Sequence, residues 1–485
     1  MRRVLVVSHT TGYQLRAFND AAEQLGIELV FATDRCHRLD DPWQDRAVAV
    51  RFHEIDASVA AIAARARQTP VDGVIAVGDR PVFLAARAAE TLGIRWHSVE
   101  GALASTDKRR SRTLLAAAGL PSPRFEVLDA SSASASAASA SAASAPDLGP
   151  GTSDSGPGTS DAGLGTSDLG PGTSDAGPGT SDAGPGTSDA GPRPPDVGFP
   201  CVLKPVGLSG SRGVIRAGDR REFETAYARI RALLARPEIR AVRAGLEDDI
   251  LVEEYIDGRE FALEGVMTDG RLQVLALFDK PDPLEGPFFE ETIYVTPSRL
   301  TTSFQARVAG TIQHAATVLG LRHGPLHAEC RVTSSGAIYV LEAAARPIGG
   351  LCSRVLSFEE AVDGGHAPRG SLEHVLLRHA LGEPVDRVRR ETAGAAVMMV
   401  PIPRRGMLRG VSGEEAAREV DGVTEIRITA KLGQILEPLP EAGSYLGFIF
   451  ARGETARDAE AAVRGAHARL HFDISKEIAV AGGRA

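Results

Sequence analysis

Apolar positions along the chain fall into short runs that alternate with helical periodicity. Residues 4–7 are continuously apolar, Ser8-His9-Thr10-Thr11-Gly12 turns the chain, and 14–25 repeats apolar positions at helical spacing up to Gly26. Residues 27–31 then read as the next strand. A strand, turn, helix and strand in that order predict an open α/β sheet. The unit recurs with 71–77 as strand, Gly78-Asp79 as turn and an Ala-rich helix over 81–92 closed by Gly93. The first turn lacks G-x-G-x-x-G, so a Rossmann-like shape is expected without the dinucleotide fingerprint. From Phe199 to about residue 385 strand-like and helical stretches alternate again. The block 393–474 reads as short strands between Gly and Pro (395–400, 423–428 and 445–451) with a helix at 455–469, a small α+β domain.

Residues 129–195 share none of this patterning. A Ser/Ala run leads into six tandem heptads over 149–190 with the consensus Gly-Pro-Gly-Thr-Ser-Asp-Ala. Two glycines per unit and no a/d apolar pair exclude a coiled coil. Such a segment buries too little apolar surface to offset the entropy of ordering it, so a disordered repeat insertion is expected. Its alternative is a tether or a partner-binding segment.

Composition narrows the function class. The 485 residues are 43% hydrophobic, enough for two or more cores. A net charge of −9 with both signs scattered gives no basic stripe, so no nucleic-acid partner is expected. No apolar run approaches the ~20 residues of a membrane span. The run after Met1-Arg2-Arg3 is too short for a signal peptide. Cys36, Cys201, Cys330 and Cys352 are widely spaced with no C-x-x-C, which reads as reduced thiols in a cytoplasmic protein.

Three segments carry candidate chemistry. In Val202-Leu203-Lys204-Pro205-Val206-Gly207-Leu208-Ser209-Gly210-Ser211-Arg212-Gly213-Val214 a strand delivers a lysine and a Gly/Ser loop turns back. Glycines admit close backbone approach, and successive N–H groups can cradle phosphate oxygens; a plain turn is the alternative. No Gly-Lys-Ser/Thr ends the loop, and H-R-D and D-F-G are absent, so neither a Walker A loop nor a protein kinase fits. Next, Ile250-Leu251-Val252-Glu253-Glu254-Tyr255-Ile256-Asp257-Gly258-Arg259-Glu260 runs an apolar strand into paired acids, or into a merely solvated strand end. Last, His327-Ala328-Glu329-Cys330-Arg331-Val332 and Ile338-Tyr339-Val340-Leu341-Glu342-Ala343-Ala344-Ala345-Arg346 read as two strands, each with a glutamate among apolar neighbours. Buried carboxylates need a partner. Two on neighbouring strands suit a hard cation such as Mg²⁺, or ion pairs with Arg331 or Arg346.

The order and spacing of these segments, with Asp107-Lys108 through Arg112 and Ala118-Gly119-Leu120-Pro121 before them, resemble the ATP-grasp superfamily over nearly everything but the insertion. The resemblance implies a multidomain α/β and α+β fold. It places a Rossmann-like pre-ATP-grasp domain at 1–100 and an ATP-grasp domain that begins at 101–128 and resumes at 196–390, with a lid lobe at about 200–256. Residues 129–195 form the insertion and 391–485 a C-terminal α+β domain. It implies ATP with Mg²⁺ (Mn²⁺ as a substitute) as cofactors. Lys108 and Lys204 would reach the phosphates, Lys204 with a catalytic share. Ser209, Gly210, Ser211 and Gly213 would form the lid loop, Glu253, Glu254 and Ile256 the adenine hinge, and Glu260 the ribose contact. Glu329 and Glu342 would hold the metal, and Arg346 would steady the transferred group. Many members carry Glu-x-Asn-x-Arg at the last motif; here Ala344 stands at the Asn position. Small residues there, with the closing block, resemble the L-amino acid ligases.

The implied activity is a carboxylate–amine ligase that forms an acyl phosphate from ATP and passes it to an amine. A bicarbonate-activating carboxylase or carbamoyl-phosphate type enzyme, and an ATP-binding protein without catalysis, remain as alternatives. Expected partners are a small carboxylate and an amine, with no nucleic acid and no membrane; a homodimer is admitted. Glu285, Phe288, Phe289 and Glu290, in the stretch 279–297, are candidates for substrate selection, with Glu290 for an amino group, or form a solvated loop. His327 reads as a base or as a satisfied structural histidine.

Overall fold

The computed structural model describes residues 1–9, 14–34, 47–128, 195–242, 248–362, 365–366 and 370–476. The repeat insertion, Cys36 and the turn at 10–12 lie outside them. In the N-terminal part, β1 (Arg3–Ser8), α1 (Leu15–Leu25), β2 (Glu28–Thr33), β3 (Val48–Ala49), α2 (Ile55–Gln68), β4 (Gly73–Val77) and α3 (Pro81–Leu92) build a parallel sheet of order β3-β2-β1-β4. Val4 to Val7 and the whole of β4 are buried, as parallel strands covered on both faces must be. Gly26 and Gly93 end α1 and α3 in the left-handed conformation, at φ 63° and 66°, their N–H groups closing the last turn.

A second layer follows. α4 (Val99–Thr106) and α5 (Lys108–Ala117) lead to β5 (Phe125–Leu128), β6 (Cys201–Pro205) and β7 (Ile215–Ala217). Then come α6 (Arg220–Leu234), α7 (Pro237–Val242) and β8 (Ile250–Glu254). The four strands form an antiparallel sheet of order β5-β8-β6-β7, with Phe223, Ile230 and Leu233 of α6 packed on it.

The remaining elements are β9 (Arg259–Thr268), β10 (Arg271–Asp279), β11 (Ile293–Thr296), α8 (Thr302–Leu319), β12 (Gly324–Val332) and β13 (Ile338–Ala344). After a 3-10 turn at Cys352–Val355 come β14 (Phe358–Val362), β15 (Gly365–His366), α9 (Leu372–Ala380), β16 (Val388–Arg390), β17 (Gly394–Val400) and β18 (Gly406–Ser412). The chain closes with α10 (Glu414–Arg418), β19 (Val423–Ile428), β20 (Ile435–Leu436), β21 (Gly447–Gly453), α11 (Ala456–His467) and β22 (His471–Ser475). The central sheet has eight strands in the order β13-β12-β9-β10-β11-β17-β21-β19. Three of them come from the closing block, joined where Ile293 to Thr296 pair with Ala395 to Met398. That block therefore shares a sheet with the strands that carry the glutamates, which periodicity alone does not reveal.

Where residue 97 meets β12 and α9, three histidines are buried together. His97 Nε2 bonds the Pro325 carbonyl at 2.8 Å, and His379 stacks on His323 at 4.6 Å between ring centroids. Burial pushes His97 and His379 down to about 4, so both stay neutral in the fold. An unfolded imidazole takes its proton near pH 6.5, so the unfolded state binds more protons as pH falls from 6.5 towards 4. Stability should drop across that window, by about 3 kcal/mol for a single histidine at its acid end. Thermal unfolding of a His97→Gln/His379→Gln variant should show a flatter pH profile over that range than the wild type.

Candidate active site

The site is built where these layers meet. β6 delivers Lys204, whose ammonium pairs with Glu253 on the adjacent β8. Arg112 on α5 holds the other oxygen of Glu253 at 2.7 Å. Burial would raise the Glu253 carboxyl, but the two cations outweigh it and hold it below the usual range. Lys108 opens α5 behind the N-cap Asp107 and donates to the Leu208 carbonyl at 2.6 Å. Burial, and secondarily the charge of Lys204, lower its proton affinity against the pull of Glu342 and Asp79. Two ammonium groups forced together in a cavity are a receptor for polyanionic oxygens.

Between β6 and β7 the loop places Gly210, Ser211 and Gly213 at φ 65°, 56° and 73°. Ser209, Gly210 and Ser211 line the cavity, whereas Gly213 does not. The N–H of Gly213 is used by the Pro440 carbonyl at 2.8 Å, and a Cβ there would lie 2.6 Å from Pro205. Gly213 thus allows close packing and does not face the cavity, which corrects its grouping with the phosphate cradle. The surrounding lobe is tied to the closing block: Arg236 forks onto Glu437 at 2.7 and 3.0 Å, and Arg229 pairs with Glu441.

Glu329 and Glu342 stand directly opposite each other on β12 and β13. Glu329 receives Lys280 at 2.6 Å, the Tyr294 hydroxyl at 3.3 Å and His327 Nε2 at 3.7 Å, all on Oε1. The Lys280 ammonium also meets Glu260 at 2.7 Å and Glu291 at 2.9 Å. These three carboxylates lie close enough to share a cation, and the lysine supplies it. Burial notwithstanding, Lys280 and His327 hold Glu329 well below the ordinary carboxylate range. His327 lies 3.3 Å from Glu264, and the two carboxylates outweigh burial to push its imidazole up to about 9. That shift favours the protonated imidazole at neutral pH and speaks against a base.

Glu342 points into the cavity, its nearest cation Arg346 Nη2 at 3.5 Å. Arg346 Nε donates to Asp79 at 2.7 Å, so the turn after β4 reaches the site. Burial opposes ionisation of Asp79, but Arg346, Lys108 and a bond from Ser209 lower it. Farther along, Glu254 pairs with Arg124 at 2.7 Å, and the Ile256 carbonyl accepts from Arg331 at 2.7 Å. Arg331 also holds Glu260 at 3.0 Å and lies near the rings of Tyr255 and Phe289. Glu260 is therefore paired on both sides, and the ion pair considered for Arg331 goes to it. In the stretch 279–297 Phe289 lines the cavity, Glu285 is exposed and Phe288 packs under Arg229. Glu290 accepts from the Ile402 backbone, and it is Glu291 that faces inward.

One cavity of about 780 Å³ is lined by Lys108, Lys204, Ser209, Gly210, Ser211, Glu253, Glu254, Ile256, Glu260, Glu329, Glu342 and Arg346. Sequence reasoning did not single out Asp79, Lys280 or Glu291 for it. The donor set fits a hard divalent cation. Glu329 and Glu342 are opposite each other on neighbouring strands and both line the cavity, while Ala344 is buried and contributes nothing.

Family models match three stretches: the ATP-grasp N-terminal domain at 19–94, the ATP-grasp domain at 197–355 and the L-amino acid ligase C-terminal domain 2 at 398–475. Dapdiamide A synthase of Enterobacter agglomerans is 28% identical over 257 residues, 52% of this chain and 57% of that protein. Alanine–anticapsin ligase of Bacillus subtilis is 28% identical over 167 residues, 32% of this chain and 34% of the other. The chain thus spans about half or less of the length of these curated relatives. The crystal structure of an L-amino acid ligase from Bacillus licheniformis superposes with a TM-score of 0.69 at 21% identity, over 98% of this chain and 99% of that one. N5-carboxyaminoimidazole ribonucleotide synthetase from Thermotoga maritima does so at 0.59 and 13% identity, over 98% and 100%. Both likenesses speak to the fold. With the two lysines, the two glutamates and the arginine converging on one cavity, and with three matched domains in chain order, this chain belongs to the ATP-grasp superfamily.

Proposed function

We propose that the chain is an ADP-forming carboxylate–amine ligase that joins two amino acids through an acyl phosphate. The observation that carries this is the convergence of Lys108, Lys204, Glu342 and Arg346 on one cavity. Phosphoryl transfer asks a protein chiefly for position and charge. Lys108 and Lys204 meet the phosphate oxygens, and the backbone of Ser209 to Ser211 faces them from the loop. Mg²⁺ held by Glu329 and Glu342 would neutralise and orient those oxygens. A carboxylate oxygen of the acid substrate bonds to the γ-phosphorus as ADP leaves; Arg346 offers its fork to the charge that develops. The amine then bonds to the acyl carbon, phosphate leaves and the amine gives up a proton. Docking of the lid lobe on Glu437 and Glu441 keeps water from the acyl phosphate in between. The relatives' names, a dapdiamide synthase and an alanine–anticapsin ligase, support an amino acid as one substrate.

The test is ADP release and product mass over pairs of amino acids, with bicarbonate in parallel. Glu342→Gln should cut turnover at least a hundredfold while nucleotide binding survives in part. ADP release driven by bicarbonate alone would favour the carboxylase reading instead. ATP binding without release on any acid would sink the ligase.

A further inference from the structure

A smaller cavity of about 400 Å³ opens beside the first and shares Gln14, Leu351 and Arg427 with it. Its other walls are Arg16, Ala17, Ser353 and Arg354. Every titratable group in the lining is a guanidinium. One carboxylate answers them: Glu425 accepts from Arg354 at 2.5 Å and from Arg427 at 2.8 and 3.0 Å. Arg16, in the first turn of α1, has no ion-pair partner among the described residues. Three positive charges against one negative leave an excess of two. Guanidinium forks are shaped for carboxylate oxygens, and an unanswered pair of charges beside a reaction cavity is the complement of an anion.

We propose that this annex holds the carboxylate of the amine substrate. The proposal rests on the ligase reading for the identity of its ligand. An amine that attacks an acyl phosphate must be neutral, so the charge left on an amino acid nucleophile is its carboxylate. That group has to be held away from Glu329 and Glu342, which would repel it. The annex lining contains neither glutamate, and the chain runs from Arg346 through Pro347 to Leu351, at the wall shared by the two cavities. Arg427 stands at the junction, where it can reach a ligand that extends from one cavity into the other.

The test separates the annex from the reaction. Titration calorimetry with L-leucine or L-alanine should show two equivalents bound to the wild type, one as acid and one as amine substrate. Arg16→Ala and Arg427→Gln should each weaken the second equivalent at least tenfold and leave the first. In kinetics, both variants should raise KM tenfold or more for the amino acid as nucleophile and leave KM for its carboxamide unchanged. Arg16→Ala removes an exposed side chain without an ion pair, so it guards against a folding defect in the other variant. A single equivalent in the wild type, or two equivalents of unchanged affinity in both variants, overturns the annex. Loss of the second equivalent without ADP release on any substrate would uphold the annex and refute the ligase reading.

Discussion

Arg346→Ala should lower the rate of ADP release by roughly 10²–10³-fold while the nucleotide still binds, because the arginine acts on charge that exists only during transfer. Its Nε is committed to Asp79 at 2.7 Å, which leaves the Nη face towards Glu342 at 3.5 Å and the cavity. The carboxylates around it raise its proton affinity further against burial, so it stays charged at every working pH. Arg346→Lys should not restore the rate, since a compact ammonium lacks the planar fork whose Nε holds Asp79 while its Nη edge faces the cavity. Nucleotide affinity measured beside single-turnover ADP release decides the matter. Asp79→Asn supplies the control, because it frees the arginine without removing it and should cost less. A rate within a few fold of wild type for Arg346→Ala would make the arginine a structural partner of Asp79.

How much of this was legible beforehand depends on where a side chain sends its charge. Lys204, Glu329 and Glu342 stand on apolar strands and Arg346 just beyond one, where a charged residue is conspicuous. The cross-strand match of Glu329 with Glu342, however, depends on a bulge: the register shifts between Glu329 and Cys330, and an unshifted hairpin would put Leu341 opposite Glu329. Lys280 sits in Asp279-Lys280-Pro281-Asp282-Pro283, which reads as a solvated turn, yet its side chain is buried. Nothing local tells that it points back under the sheet. Glu291 and Glu290 differ by one position, and only the fold decides which faces inward. Asp79 looked like half of a Gly-Asp turn; its role came from a partner 267 residues away. Gly213 was misread for the opposite reason, since a positive φ needed for packing against Pro205 looks the same in sequence as one needed for an anion.

Lys280→Met should be the most damaging change to stability, costing about 3–5 kcal/mol, the scale for removing one partner of a buried ionic group. The cost arises from what is left behind. Glu260 keeps Arg331 at 3.0 Å and Glu329 keeps His327 at 3.7 Å. Glu291 loses its cation and faces two carboxylates; burial already raises its proton affinity, and Lys280 is what opposes that. Adding Glu291→Gln to Lys280→Met should therefore recover a large part of the loss, although Glu291→Gln alone should be mildly destabilising because it unbalances Lys280. A double-mutant cycle read by thermal unfolding would show this as a strong coupling between the two positions. Additive losses would mean that another group neutralises Glu291, and that the lysine acts on Glu260 and Glu329 alone. With coupling established, the ammonium is a fixed part of the cavity floor beside Glu329. It holds Oε1 of Glu329 at 2.6 Å, which would make the position of that carboxylate independent of the missing Asn at Ala344.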